Sequence, residues 1–320
     1  KELSKIKGIV YKQNNKIKIS NPPKDKYNIE NLPIPNRELA FLEDYIEVRS
    51  ILTSRGCINK CDFCPTSNYW GTWRARSAKN VVNEIEYLIN NYGTKKIIFL
   101  DDNMTVNLKR MQDISNLILE KKLNIKLGCL ASINTYEKET FSLMYKAGFR
   151  WVHFGIESGS QKVLKNNNKN FDINYAKKVI KEVKKIGYRV RTSFIFDLPT
   201  TTKEDMKQTT QFILETEPDE IRGHFLALRL GTTIFNKISK EKELPTQYIH
   251  SSKPLLENNE YKNSELIKDI NYLKEKLLQK NYKIVNDVKQ WENIENLRNK
   301  EGKIKFLSFC PSKYGIDWEK

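Results

Sequence analysis

No apolar run in this 320-residue chain approaches the ~20 residues needed to span a bilayer, and no secretory apolar segment opens it. Thirteen Gly and ten Pro are too few for a fibrous or low-complexity chain. No internal repeat stands out beyond an alternation of strand-like and helix-like stretches. Cysteine is scarce, and five is an odd number with three of them clustered, which points to a reducing compartment and an expected cytoplasmic location. Acidic residues are outnumbered, 39 against 56 Lys and Arg, for a net charge of +17. Such a charge suits a nucleic-acid partner when it is gathered on one face. Here the lysines are spread over most helical stretches, so the charge reads as composition and nucleic acid is not the expected partner. Hydrophobic residues make up 39% of the chain, with the 11% of aromatics among them, and suffice for a large core. The chain begins at Lys1 and not at Met, so it reads as a processed form or a fragment.

Along the chain, residues 1–47 read as an approach segment. Ile6, Ile9, Ile17 and Ile19 flank Gln13-Asn14-Asn15, a hairpin pattern, and the prolines of Asn21-Pro22-Pro23 and Leu32-Pro33-Ile34-Pro35 hold the backbone around them extended. From residue 48 to 235 apolar strands alternate with amphipathic helices. The strands are expected at Val48–Ser54, Lys96–Leu100, Ile125–Ala131, Trp151–Ile156, Val190–Phe196 and Glu220–Leu228. The helices are expected at Ala78–Asn91, Leu108–Lys122, Tyr136–Ala147, Tyr175–Ile186 and Lys203–Thr216. Six near-continuously apolar strands at this spacing predict an α/β fold, a parallel sheet covered by helices in an open or partial (β/α) barrel. Residues 236–320 are rich in Lys, Glu and Asn and form a helix-rich accessory region. Helices are expected at Leu266–Leu278 and Val285–Leu297 and a short strand at Ile304–Ser308, the whole lying over the barrel mouth.

Chemistry-bearing residues collect where strands end. Cys57-Ile58-Asn59-Lys60-Cys61-Asp62-Phe63-Cys64 follows the first strand, Asp101-Asp102-Asn103 the second, Glu157-Ser158 the fourth and Asp197 the fifth. Carboxyl ends of parallel strands are where such folds place reactive groups. Three thiols this close cannot all pair with one another, but they can hold a metal or an iron–sulfur cluster. Structural zinc and ordinary electron-transfer clusters take four protein ligands. The triplet therefore leaves two readings open: zinc completed by a distant residue such as Cys129 or Cys310, or a cluster with one iron left for a ligand that is not protein. No second cysteine cluster is present.

The C-x3-C-x-Phe-C loop, with Cys57, Cys61, Phe63 and Cys64, resembles the signature of the radical S-adenosylmethionine (SAM) enzymes. Ser54-Arg55-Gly56-Cys57, Trp73-Arg74-Ala75-Arg76-Ser77, Leu100 to Thr105 and Phe154 to Ser160 are similar to the branch that carries a cobalamin-binding domain ahead of the barrel. The resemblance implies a partial (β/α)6 barrel over residues 48–235. It implies a [4Fe-4S] cluster on Cys57, Cys61 and Cys64, and SAM on the open iron. Reductive cleavage of SAM would give a 5′-deoxyadenosyl radical that functionalises a C–H bond of a small metabolite or peptide. It further implies Phe63 near the adenine, Asp101, Asp102 and Asn103 near the SAM amino group, Glu157 at the ribose, and Arg191 and Ser193 at the SAM carboxylate or the substrate. A reducing partner such as flavodoxin or ferredoxin is expected. Methylation is expected where cobalamin serves as a further cofactor, which makes the protein a transferase; epimerisation, dehydration or rearrangement is expected where it does not. One departure stands out. Where the family has Gly-Leu-Pro-Gly-Glu-Thr after the fifth strand, this chain has Asp197-Leu198-Pro199-Thr200-Thr201-Thr202, losing two glycines and a carboxylate.

Overall fold

The computed structural model describes residues 2–21, 27–39, 48–240, 254, 261–286 and 304–309. The chain divides into two compact units, Lys1–Asn36 and Arg37–Lys320. In the first, β1 (Val10–Gln13) and β2 (Lys16–Ile19) form the expected antiparallel hairpin. Asn14 and Asn15 turn it at φ 50° and 61°, the left-handed pair that suits the twist of a two-residue hairpin loop.

The second unit is built on one eight-stranded sheet. Its strands are β3 (Val48–Ile51), β6 (Lys96–Phe99), β7 (Lys126–Ala131), β8 (Phe149–Glu157), β9 (Arg189–Ile195), β10 (Glu220–His224), β11 (Lys283–Val285) and β12 (Phe306–Phe309), and all pair in parallel. Their order is β11-β12-β10-β9-β8-β7-β6-β3, so six strands succeed one another in chain order, as a partial barrel requires. The connecting helices are α2 (Ala78–Tyr92), α3 (Leu108–Glu120), α4 (Lys138–Lys146), α5 (Gln161–Asn166), α6 (Ile173–Ile186) and α7 (Lys203–Thr216). Ser77, Asn107 and Asp172 each cap a helix by accepting from the third backbone amide beyond, and Thr202 and Asp205 form a capping box on α7. Alternate strand residues Ile97, Phe99, Leu127, Cys129, Val152, Phe154, Val190 and Phe194 are buried with Ile85, Met111, Ile114, Phe141, Val179 and Phe212 of the helices in one continuous core.

Two expectations change. The sixth strand stops at His224, because Leu226 instead gives its amide to Asp197 Oδ1 at 2.5 Å. The C-terminal region does not lie over the mouth in its described part. α9 (Asn263–Gln279) packs against α7, while β12 pairs with β10 and β11 with β12, extending the sheet at its edge. Val285, expected to open a helix, instead ends the strand β11, and residues 287–297 and Cys310 lie outside the described residues. Glu217 ties this addition down by pairing with Lys280 and Lys305, and Tyr282 Oη donates to the Pro218 carbonyl at 2.6 Å.

Candidate active site at the carboxyl ends of the strands

The cysteine loop is pinched at its base. β4 (Ser54–Arg55) pairs antiparallel with β5 (Arg74–Ala75), closing residues 56–73 into a loop beyond β3. Gly56 sits at φ 92°, where a Cβ would come within 3.2 Å of the Thr72 carbonyl and Trp73 Cα, so only glycine lets the strand turn directly into Cys57. The Cys64 amide donates to the Cys61 carbonyl at 3.1 Å, which bends the loop back on itself. α1 (Thr66–Trp70) comes next, with the Arg55 guanidinium 4.8 Å from the Trp70 ring centroid. All three thiols are free of disulfides; Cys61 is buried, Cys57 and Cys64 half-buried. Burial pushes the Cys61 thiol up to about 11 and also raises that of Cys57. Such thiols become ligands only when a positive centre displaces their protons. Phe63 packs against a satellite core of Val163, Leu198, Leu226, Leu228 and Ile234.

Of the three residues after β6, each has a different part. Asp101 is fully buried, and its carboxylate accepts from the Thr53 hydroxyl at 2.7 Å, the Thr53 amide at 3.1 Å and the Ser54 hydroxyl. Burial raises the pKa of its carboxyl, while these bonds and Arg110 pull it back. Arg110 in turn holds the Thr53 hydroxyl at 2.8 Å and carbonyl at 3.2 Å. Asp101 thus locks the base of the cysteine loop to the neighbouring strand and presents no free oxygen to a ligand, in contrast to the expectation of a SAM contact. Asp102 is exposed, accepts from the Thr66 hydroxyl at 3.1 Å and bears electrostatically on Cys57. Asn103 spends its oxygen on the Thr105 amide and hydroxyl, at 3.2 and 3.1 Å, while its buried Nδ2 has no hydrogen-bond partner.

Glu157 ends β8 at φ 70°, beside an irregularity in the pairing with β9. A non-glycine residue in that region re-aims its side chain at some cost in strain. Its carboxylate folds back over Gly155, where a Cβ would fall 2.4 Å from Oε1. Lys169 reaches it at 3.4 Å, the two side chains being only 15% and 11% exposed. Burial raises Glu157 and Lys169 opposes that rise; burial would lower Lys169, but Glu157 and then Cys61 outweigh it and hold the ammonium charged. Lys169 therefore stands electrostatically between Glu157 and the cysteines.

Arg191 and Ser193 are on β9 as expected, but Arg191 points its guanidinium at Glu220, with Nε 2.6 Å from Oε2, and lies 4.5 Å from the Trp151 ring centroid. Arg189 shares the same carboxylate at 2.5 Å. His153, next to Arg191 across the strands, is held neutral by burial and by Arg191 and Arg222, and its Nε2 has no partner. The lost glycine after β9 is replaced by Thr200 at φ 69°, a β-branched residue in a glycine conformation. Lys169 was not legible in the sequence, since it stands in a Lys- and Asn-rich run whose charge reads as composition. Only the fold brings it to Cys61.

The donor set fits an iron–sulfur cluster better than a single ion. Among the described residues no three His, Cys, Asp or Glu side chains converge at single-ion spacing. A cubane, by contrast, gives each thiolate its own iron. A cationic Lys169 in the turn after α5 and the partnerless Nδ2 of Asn103 after β6 supply polar groups for a second, carboxylate-bearing ligand.

Comparison with known proteins agrees with this geometry. Residues 51–213, about half of the chain, match the model of the radical SAM superfamily. An uncharacterized methyltransferase of Pyrococcus horikoshii is 34% identical over 224 residues, 68% of this chain and 49% of the relative. The cytidylyl-2-hydroxyethylphosphonate methyltransferase of Streptomyces wedmorensis is 28% identical over 186 residues, 53% of this chain and 35% of the relative. The chain thus spans at most about half the length of these curated relatives. In fold it is similar to the cobalamin-dependent SAM radical enzyme OxsB, solved with aqua-cobalamin and SAM, at a TM-score of 0.62 and 18% identity over 86% of this chain and 37% of that one. The match of residues 51–213 to that model takes in the cysteine loop and the strands that follow it, and the chain belongs to the radical SAM superfamily.

Proposed function

We propose that residues 48–235 form the catalytic core of a radical SAM enzyme that functionalises a C–H bond of a small metabolite or peptide, with residues 236–320 as its accessory region. The observation that carries this reading is the juxtaposition of three disulfide-free cysteines in one loop with the buried Glu157–Lys169 pair. Cys57, Cys61 and Cys64 would hold a [4Fe-4S] cluster, leaving one iron to the amino and carboxylate groups of SAM. Together the cluster and SAM supply one-electron cleavage of a sulfonium C–S bond and hydrogen-atom abstraction from an unactivated carbon. Lys169, cationic and dry, suits the SAM carboxylate; a charge-assisted contact there is stronger than in water. Glu157, held over Gly155, suits the ribose hydroxyls, and Phe63 and its satellite core form an apolar wall for the adenine. Asn103 Nδ2 and Ser193 add donors, and Asp102 a carboxylate near Cys57. Asp101 and Arg191 act at one remove, through Thr53 and Glu220.

The names of the relatives favour methylation, and so a transferase, with cobalamin from a further domain. No described helix is long and apolar enough to cross a membrane. With the reduced thiols, this suits a cytoplasmic enzyme served by a flavodoxin or ferredoxin. The test is anaerobic reconstitution with iron and sulfide. About four irons per chain are expected, with 5′-deoxyadenosine formed when SAM and a reductant are added. Cys61→Ala should abolish both. A protein that takes up zinc alone, or a Cys61→Ala variant that cleaves SAM normally, refutes the reading.

A further inference from the structure

Between the second and third cysteines stands Asp62, an acid only 6% exposed. A carboxylate so placed is costly unless other groups hold it. Its Oδ1 accepts from Asn168 Nδ2 at 2.9 Å. Its amide donates to the Asn167 carbonyl at 3.1 Å, and its own carbonyl accepts from the Ile234 amide at 3.1 Å. Lys237 stands 3.9 Å from Oδ2, but its side chain is 70% exposed and adds little. Asn167 is buried and fastens its turn to α5 by donating to the Val163 carbonyl at 2.8 Å. Asn168 sits at φ 53°, the left-handed conformation that Asn tolerates. The residue after it is Lys169, which reaches back to Glu157 and the cysteines. The cysteine loop, the turn that carries Lys169 and α8 (Thr233–Ile238) therefore meet at a single side chain and its own peptide groups.

We propose that Asp62 is a positioning residue that fixes the distance between the cysteine loop and the Lys169 turn, so that cluster and SAM are gripped by one rigid unit. This rests on the cluster-and-SAM reading above. Loss of the Asp62–Asn168 bond frees the turn, letting Lys169 drift from its ligand while the thiols stay in place. The effect reaches SAM first and the cluster second.

The test uses the full chain, reconstituted anaerobically, as wild type, Asp62→Ala, Asp62→Asn and Asn168→Gly. Asn168 is exposed and Gly keeps its backbone conformation, so that variant removes the bond from the other side without a buried cavity. The expected result for Asp62→Ala and Asn168→Gly is wild-type iron content, SAM binding about tenfold weaker, and a smaller change in the electron paramagnetic resonance spectrum of the reduced cluster on adding SAM; tenfold is the factor one hydrogen bond to a charged group carries. Iron loss to a chelator should be faster in both, by a smaller factor than the loss of SAM affinity. Asp62→Asn keeps an acceptor oxygen for Asn168 without the charge and should weaken SAM binding by about threefold or less, clearly short of Asp62→Ala. Iron-loaded variants with unchanged SAM affinity and chelator rate overturn the assignment, as does an Asp62→Asn variant as weak as Asp62→Ala. A wild-type protein that binds no iron defeats the cluster reading itself, and is told apart by that.

Discussion

Replacing Lys169 by Met keeps the length of the side chain and removes its charge, leaving Glu157 as a carboxylate in a nearly closed site. The two groups are 3.4 Å apart and 15% and 11% exposed, so neither can regain its water without moving the turn. Breaking a buried pair from one side costs about 3–5 kcal/mol, most of it the stranded charge and not the lost attraction. Unfolding of the apoprotein should then shift down by on the order of 10 °C, since one kcal/mol moves a domain of this size by about 2–4 °C. Glu157→Gln alone strands the ammonium instead and should cost a similar amount. The double variant Lys169→Met/Glu157→Gln removes both charges and should recover at least half of the summed loss, a coupling of about 3 kcal/mol or more. Thermal unfolding of the four proteins, followed by circular dichroism without iron, gives this cycle directly. If each single change costs less than about 1 kcal/mol and the double is additive, the pair is solvated and the proposed carboxylate site loses its basis. With the cluster restored, Lys169→Met should also weaken SAM binding more than Glu157→Gln does, because it removes the attracting charge.

The same structure gives two further expectations. Glu217 is held down to about 2 from an ordinary 4.5, first by Lys280 and then by Lys305, so its contribution is full above pH 4.5 and fades as pH falls toward 2. Because its side chain is about one-third exposed, solvent screening limits the effect to about 1 kcal/mol. Glu217→Gln should therefore flatten the acid limb of apoprotein stability in that window, and an unchanged limb would contradict the role given to this tether. Thr200 at φ 69° carries a strain of about 1–2 kcal/mol as a β-branched residue. Thr200→Asn, which tolerates that conformation, should raise stability by about 1 kcal/mol, while a lowered melting temperature would mean that the Asn166–Thr200 hydrogen bond of 3.1 Å outweighs the strain.

The positions of the elements were legible because they depend on local chemistry. Unbroken apolar runs marked the parallel strands, helical spacing of apolar residues marked the helices, and Gln13-Asn14-Asn15 marked the hairpin turn. The edge of the sheet was not legible. Val285 is expected to begin a helix, and only pairing with β12 makes it the last residue of a strand. The strand is decided by a contact made across many residues of sequence, and no local preference records it.

The cysteine spacing by itself determined that a cluster or metal belongs after the first strand, since three thiolates within eight residues have few other uses. Which polar groups face that place was decided only by the tertiary structure. Asp101 and Asp102 are neighbours in the chain, yet one is sealed against Thr53 and Ser54 and the other is exposed beside Thr66, because successive residues leaving a strand point to opposite sides. Lys169 and Asp62, unremarkable in the sequence, acquire their parts because a turn after α5 is folded back onto the cysteine loop. A charge gains its meaning from what surrounds it, and burial is a property of the whole fold.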